Sequence, residues 1–137
     1  MTAQRIFTLT FLLTVLLAGD LYAGYHDEGK RYYTRRQYDK AREMFLKSIE
    51  SSDTGDSYYF LGEIEKNAGN YSQAETYFRE ALTRNNTTKK YRRNTFWNLI
   101  VLTQHREDYA EMCRICLELW RQSHDAGAKE KAENVIN

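Results

Sequence analysis

Hydrophobic and polar residues follow a helical period along most of the chain after residue 23, and two stretches repeat the same pattern. QYDKAREMFLKSI at residues 37–49 and NYSQAETYFREAL at residues 70–82 carry tyrosine, alanine, phenylalanine and an aliphatic residue at the same offsets. Equivalent residues, such as Phe45 and Phe78, lie 33 positions apart. Because residues at i, i+3, i+7 and i+10 share one face, each stretch is predicted to be an amphipathic helix.

A second matching piece precedes each of these helices. Gly29 and Gly62 are again 33 residues apart, and apolar or aromatic residues flank each at helical spacing. A glycine on the first helix and a small residue on the second, Ala74 in the clearer copy, would let the two backbones come close. Such hairpins cannot bury their apolar faces alone, so the units are predicted to stack.

A divergent third copy follows at residues 108–120, DYAEMCRICLELW. The third unit has Ile100 on its first helix where the earlier copies have glycine, and Met112 on its second where they have alanine. Four additional residues, KKYR at 89–92, precede this unit. The larger side chains predict a changed spacing or crossing of the two helices. The tail DAGAKEKAENVIN has Asp125 as a candidate N-cap and one narrow apolar stripe, so it is predicted to be a terminal capping helix.

The fold class is therefore all-α. Complete absence of proline from the sequence favours uninterrupted helices. The predicted helices span residues 24–35, 38–51, 55–68, 71–84, 91–105, 108–122 and 126–136.

The first 23 residues have a different composition. MTAQR carries one positive charge, a run of 14 uncharged and mostly apolar residues follows, and LYA ends in a small residue. This layout is typical of a secretory signal peptide cleaved after Ala23, and the run is short for a transmembrane helix. We expect residues 1–23 to be a signal peptide and the protein to be periplasmic or secreted, with an uncleaved membrane anchor as the alternative.

The two clear copies resemble the tetratricopeptide repeat family, whose units of about 34 residues place aromatic residues, Leu-Gly and alanines at fixed positions. The second copy matches at Tyr58, Leu61, Gly62, Ala74, Phe78 and Ala81. Its Glu65 departs from the pattern, since an aromatic residue is usual there. The resemblance implies a right-handed α-solenoid of helix-turn-helix hairpins over residues 24–137, with repeats at about 24–54, 55–88 and 93–124 and a capping helix at 126–136.

The resemblance also implies a scaffold or adaptor that binds a protein or peptide segment on the concave face lined by the first helix of each hairpin. The family's groove positions correspond here to His26, Lys30, Tyr33, Tyr59, Glu63, Lys66, Asn94, Trp97 and Gln104, with Thr34, Asp56, Asn67, Val101 and His105 beside them. The three large aromatic residues of this set are candidate anchors for a partner. They could instead fill gaps between helices.

The CRIC motif allows a different function. Cys113 and Cys116 have the CxxC spacing of thiol-redox proteins, in which a helix N-terminus lowers the pKa of the first thiol. By the repeat register the motif lies in the middle of a helix, which favours a buried thiol beside a more exposed one. Self-assembly through stacked solenoid ends is a further alternative.

Charge adds little to this picture. The formal net charge is +1, so no nucleic-acid partner is expected. The one dense basic cluster, KKYRR at residues 89–93, could touch phosphate or an anionic membrane surface, but it is more typical of a solvated helix start. The sequence holds no convincing catalytic set and no glycine-rich phosphate loop, so we expect neither an enzyme nor a bound cofactor or metal.

Overall fold

The computed structural model describes residues 24–136, apart from the side chains of residues 135 and 136. The predicted signal peptide lies outside the described residues. Within them all regular structure is helical: α1 (24–34), α2 (Tyr38–Ser52), α3 (Gly55–Asn67), α4 (Tyr71–Thr83), α5 (Lys89–His105), α6 (Tyr109–Ser123) and α7 (Ala126–Ile136). These bounds agree with the predicted ones to within two residues. No helix in the described part of the chain is long and apolar enough to cross a membrane.

The chain divides after Asp53 into two compact units. The first unit contains α1 and α2, and its central contact joins Gly29 to Phe45. A Cβ atom added at Gly29 would lie only 2.7 Å from Cε1 of the Phe45 ring, so glycine is needed for the ring to sit there. Ala41 and Ser48 flank Phe45 on α2, and all three are fully buried. The predicted apolar face of α2 is therefore its packing face.

The second unit contains α3 to α7, each helix packed on the next along the chain. Gly62 on α3 and Phe78 on α4 repeat the glycine–phenylalanine contact, since a Cβ atom at Gly62 would lie 2.5 Å from Phe78 Cε1. Ala74 and Ala81 complete the buried face of α4. Helix α3 also contacts α5, so the first helices of two successive hairpins are neighbours.

The third hairpin, α5 and α6, exchanges the sizes of its packing residues. Ile100 and Cys116 hold the positions of Gly62 and Phe78, each 38 residues later, and both are completely buried. A large residue on the first helix is thus combined with a small one on the second, the reverse of the earlier hairpins. This complementary exchange explains how a divergent sequence keeps the hairpin packing.

The turn inside each hairpin has the same backbone conformation in all three copies. Arg36, Gly69 and Glu107 adopt left-handed conformations, with φ of 58°, 82° and 60°. In each turn the next residue donates its backbone N–H to the carbonyl oxygen five residues before it, at 2.9 to 3.0 Å. This arrangement is the Schellman motif, which satisfies carbonyl groups at a helix C-terminus.

These turns give opposite predictions for glycine and non-glycine positions. A Cβ atom at Gly69 would meet no atom within 4 Å, so Gly69→Ala tests the backbone alone and should lower the free energy of unfolding by roughly 1 kcal/mol. Glu107→Gly should raise it by up to about 1 kcal/mol, because glycine adopts the left-handed conformation without strain. Urea denaturation followed by circular dichroism measures both. Equal signs for the two variants would contradict the shared turn.

The four additional residues before the third copy form an extra turn of helix. Helix α5 has 17 residues and begins at Lys89, whereas α3 has 13. Tyr91 on this extra turn stacks on Tyr59, with 4.8 Å between ring centroids, and lies edge-on to Phe60 at 5.1 Å. The insertion therefore covers aromatic surface of α3.

The connection between α4 and α5 is held by polar contacts to the start of α3 and to the end of α4. The Asn86 Oδ1 atom accepts the Gly55 N–H at 3.0 Å, and Asp56 Oδ1 accepts the Thr88 N–H at 2.8 Å. The hydroxyl of Thr87 donates to a carbonyl oxygen at the end of α4. These bonds fix the start of α3 against the start of α5.

Arg92 strengthens the same connection. Its guanidinium donates to the carbonyl oxygens of Leu82 at 3.2 Å and Arg84 at 2.7 Å. Carbonyl groups at the end of a helix have no partner within the helix, so a cation placed there satisfies them and opposes the helix dipole.

Helix α7 covers the last hairpin, as expected of a capping helix. The Asp125 carboxylate accepts the Ala128 N–H at 3.2 Å, which confirms Asp125 as the N-terminal cap. Ala128 and Ala132 are buried, and α7 packs on α6. Small residues at these positions let the two helices approach closely.

Candidate protein-binding face

A polar network joins α3 to α5 on the side where the two first helices meet. The ammonium group of Lys66 contacts Glu63 Oε1 at 2.8 Å and donates to Asn98 Oδ1 at 2.6 Å, while the Asn98 amide donates to Glu63 Oε1 at 2.6 Å. The side chains of Glu63 and Lys66 are only 15% and 25% exposed. Mutual neutralisation lets this pair stay half-buried, and the closed network holds its polar groups in fixed positions.

An exposed apolar residue lies beside this network. Val101 is 55% exposed and follows Trp97 and Asn98 by four and three residues, so all three lie on one side of α5. Residues spaced in this way form a continuous strip along the helix. We call the surface formed by Glu63, Lys66, Trp97, Asn98 and Val101 the α3–α5 face.

The α3–α5 face continues toward α7. The Trp97 ring is half-buried, and it lies 3.6 Å from the position that a Cβ atom of Gly127 would occupy. Gln104, exposed on α5, accepts a hydrogen bond of 2.7 Å from Lys131 on α7. Two predicted groove residues of the third copy, Trp97 and Gln104, thus lie against the capping helix. This agrees with the alternative in which the Trp97 ring fills a gap between helices. Asn94 is half-buried on the same helix.

The prediction that Tyr59 is displayed for a partner is wrong. Its side chain is 8% exposed and lies among Phe60, Phe78 and Tyr91. The physical reason is the extra turn of α5, which places Tyr91 over the ring. Asp56, placed near the groove by the repeat pattern, instead caps the start of α5.

The candidate residues of the first unit have local contacts of their own. The His26 ring packs on Phe45 with 5.7 Å between centroids. Tyr33 lies edge-on to Tyr38 at 5.6 Å. Lys30 is half-buried and pairs with Asp27.

This Lys30–Asp27 contact spans 3.0 Å, and the hydrogen bond from Lys30 lowers the pKa of the Asp27 carboxyl group below its ordinary value. Because the Lys30 and Asp27 side chains are 41% and 63% exposed, water screens the pair and its contribution to stability is small. Lys30 therefore stays available to a partner, whereas the rings of His26 and Tyr33 pack against Phe45 and Tyr38.

The sequence prediction missed Asn98. It stands 38 residues after Phe60, a buried aromatic residue, so the repeat pattern implies another packing residue there. Its four-residue spacing from Asn94 was the available signal, because residues i and i+4 lie on the same side of a helix.

Comparison with known proteins identifies the repeat. Residues 55–88 match the family model of the tetratricopeptide repeat. The chain therefore contains a tetratricopeptide repeat at these residues. Its structure is similar to that of the Arabidopsis OM64 TPR domain, with a TM-score of 0.66 over 85% of this chain and 94% of that domain, at 14% sequence identity. At that identity the likeness establishes the fold alone. No curated protein sequence matches the chain.

The all-α tetratricopeptide fold predicted from the sequence is confirmed by this match and this likeness. Tetratricopeptide repeat proteins are generally non-catalytic scaffolds for contacts between proteins. The unusual Glu65 of the second repeat is also explained by the structure: it is 7% exposed and accepts a 2.8 Å hydrogen bond from the Asn70 side chain. A polar contact thus replaces the aromatic packing that is usual in the repeat.

The CxxC pair on α6 does not have the surroundings of a redox site. Both thiols are free, and Cys113 is the fifth residue of α6, well past its N-terminus. Its Sγ atom lies 3.8 Å from the Ala132 carbonyl oxygen on α7. Burial, with a smaller effect of Cys113, raises the pKa of the Cys116 thiol, which lowers its reactive thiolate fraction near neutral pH. The redox alternative stays a prediction without structural support.

Proposed function

We propose that the chain is an exported, non-catalytic scaffold that binds a protein or peptide segment on the α3–α5 face. The observation that carries this proposal is the exposed Val101 beside the fixed Glu63–Lys66–Asn98 network. Such a surface offers an apolar contact and oriented hydrogen-bonding groups at once, which suits the alternating apolar and amide groups of a peptide. The general role of tetratricopeptide repeats supports the same conclusion.

The network contributes in a specific way. The Lys66 ammonium and the Glu63 carboxylate neutralise each other and the Asn98 amide is uncharged, so the face carries little net charge around Val101. We therefore expect a partner segment that is recognised through apolar contact and main-chain hydrogen bonds rather than through a strong charge. Fixed side chains also lose little entropy on binding, which favours affinity.

A matched pair of variants tests the face. Val101→Glu should weaken capture of partner proteins by the purified full-length chain at least about tenfold, because a charge would be buried against the partner. Leu117→Glu on α6 is the control, since Leu117 is 48% exposed and receives the same charge change. Quantitative mass spectrometry of captured proteins, after a check of folding by circular dichroism, measures the difference. Identical capture by both variants and the unchanged chain would eliminate this face as the binding site.

Export is a separate part of the proposal and rests on the sequence of residues 1–23. We expect a chain expressed in its source cells to be recovered outside the cytoplasm with Gly24 as its first residue. Cell fractionation and the intact mass of the purified protein measure both properties. Recovery of the uncut chain in the membrane fraction would favour the anchor instead, and recovery in the cytoplasm would overturn export. Self-association stays an open prediction, which sedimentation of the same preparation tests.

A further inference from the structure

The side of α4 that looks toward the third hairpin is charged and covered. Glu75 contacts Arg106, and Arg79 contacts Glu111 at 3.2 Å, so ion pairs join α4 to the turn and the helix that follow. The side chains of Glu75 and Glu111 are only 15% and 17% exposed. This is the environment of a second helix when another hairpin follows it.

The equivalent side of α6 is apolar and uncovered. Cys113 and Leu117 stand 38 residues after Glu75 and Arg79, so they take the places of the two charged residues. Among the described residues no further second helix follows, because α7 packs on α6 as α5 packs on α4. Leu117 is accordingly 48% exposed, and Trp120 beside it is 38% exposed. Since the end of a stack of repeats needs a polar outer surface in water, these apolar residues predict an interface.

The exposed residues form a strip along α6 beside α7. They follow one another at intervals of three or four residues and therefore share one side of the helix: Ala110, Cys113, Leu117, Trp120 and His124. Ala110 and His124 are exposed at the two ends, and Cys113 is half-buried. The His124 ring lies edge-on to the Trp120 ring, with 6.2 Å between centroids, so it continues the strip past the last turn of α6. We call these five residues the α6 strip.

The margins of the α6 strip are electrically neutral. Each cation at its edge is paired with a carboxylate of the same helix: Arg114 with Glu111 at 2.7 Å, Arg121 with Glu118 at 2.5 Å and Lys129 with Glu133 at 3.6 Å. Charge therefore selects neither an acidic segment nor an anionic membrane for this surface. The selection must come from apolar shape.

We propose that the α6 strip binds the same strip of a second copy, with the two helices antiparallel and a two-fold axis at Leu117. Ala110 lies seven residues before Leu117 and His124 lies seven after it, so the small residue of each copy faces the large residue of the other. Trp120, three residues after the axis, faces Cys113, four residues before it. Small side chains thus meet large ones on both sides of the central leucine pair. A two-fold pair also covers both strips at once and closes the assembly.

Disulfide trapping in the purified full-length chain tests the axis. Leu117→Cys should give at least about tenfold more cross-linked dimer under mild oxidation than Thr76→Cys, because pairing brings the two copies of residue 117 together. Thr76 is the matched control, since it is exposed on α4 but lies outside the strip. Cys113→Ala is present in every variant, so that this half-buried thiol does not compete. Non-reducing gel electrophoresis measures the dimer.

The same chemistry tests the direction of the two helices. A mixture of Ala110→Cys chains with His124→Cys chains should give a mixed dimer, identified by its intact mass. Neither variant should cross-link to itself, because the two copies of either residue would lie about 21 Å apart along antiparallel helices. Dimers of Ala110→Cys alone would indicate parallel helices and overturn the proposal.

Sedimentation velocity tests the pairing without a cross-link. We expect the unchanged chain to form dimers at concentrations up to about 100 µM, as suits a small interface. Leu117→Glu should raise the dissociation constant at least about tenfold, because two carboxylates would be buried at the axis. Thr76→Glu should leave it unchanged, and circular dichroism checks that both variants fold.

Other results would also overturn the proposal. A chain that stays monomeric at about 100 µM has no such interface, and association that Leu117→Glu leaves intact uses another surface. Binding of phosphatidylglycerol vesicles by a monomeric chain, abolished by Leu117→Glu, would assign the strip to membranes. The α3–α5 face lies on other helices, so Leu117→Glu should separate the two copies and still leave partner capture on that face unchanged.

Discussion

Gly62→Leu is expected to unfold much of the second unit, with a loss of roughly 3 kcal/mol or more in the free energy of unfolding. A Cβ atom at this position would already lie 2.5 and 2.6 Å from the Phe78 ring, and that ring is fully buried and cannot move aside. Overpacking of a well-filled core commonly costs about 1–3 kcal/mol, and leucine adds three further carbons. Because stacked repeats support one another, the damage should spread beyond α3 and α4. Urea denaturation followed by circular dichroism measures the loss.

The third hairpin supplies the control for this prediction. Ile100 and Cys116 occupy the equivalent positions, so the double variant Gly62→Ile with Phe78→Cys copies a combination that the chain already uses. Phe78→Cys alone should destabilise by leaving a cavity, and Gly62→Ile alone by overpacking. We expect the double variant to recover at least about 1 kcal/mol relative to the sum of the single effects. Strict additivity would show that the two positions do not share a contact.

Gly55→Ala is expected to lower the free energy of unfolding by roughly 2 kcal/mol, although the change adds one methyl group. That methyl group would overlap the hydroxyl of Thr87 and lie 2.8 Å from the Thr87 Cβ atom. Thr87 cannot turn away without cost, because its single hydroxyl hydrogen is shared between the carbonyl oxygens of Ala81 and Arg84 at the end of α4. The adjoining hydrogen bond from the Gly55 N–H to Asn86 would be strained as well.

The same substitution at Gly127 should have the opposite sign. A Cβ atom there would meet its nearest neighbours at 3.4 Å and beyond, which is ordinary contact. Alanine also forms helices better than glycine, by about 0.5–1 kcal/mol. Thermal melting of the two alanine variants beside the unchanged chain measures both effects. A loss at Gly127 similar to that at Gly55 would show that contact with Thr87 is not the cause.

The helices could be predicted from the sequence because glycine, alanine and phenylalanine recur at fixed spacing, and that spacing has one packing solution. Gly29 with Phe45 and Gly62 with Phe78 lie in contact as the repeat implies. The divergent third copy could also be located from the sequence. The exchange of side-chain sizes between Ile100 and Cys116 is recognised only when the two positions are known to pack in the same hairpin.

The candidate face was harder to predict, and the reason is the four-residue insertion. Its residues extend α5 by one turn, which carries Tyr91 over Tyr59 and removes that ring from the surface. Periodicity alone does not distinguish a longer helix from a longer connection. Asn98 was missed for a related reason, since it replaces an aromatic residue of the repeat with an amide that contacts Glu63 and Lys66.

The polar contacts around the α4–α5 connection affect how much of the structure must still be ordered when a ligand binds. Asn86 and Asp56 link this connection to the start of α3, while Arg92 links α5 to the end of α4. A joint held from three sides resists bending, so the angle between α3 and α5 is set before a ligand arrives. Under the proposed function, the α3–α5 face would be a preformed template, and mutations that loosen the joint should weaken binding mainly through faster dissociation.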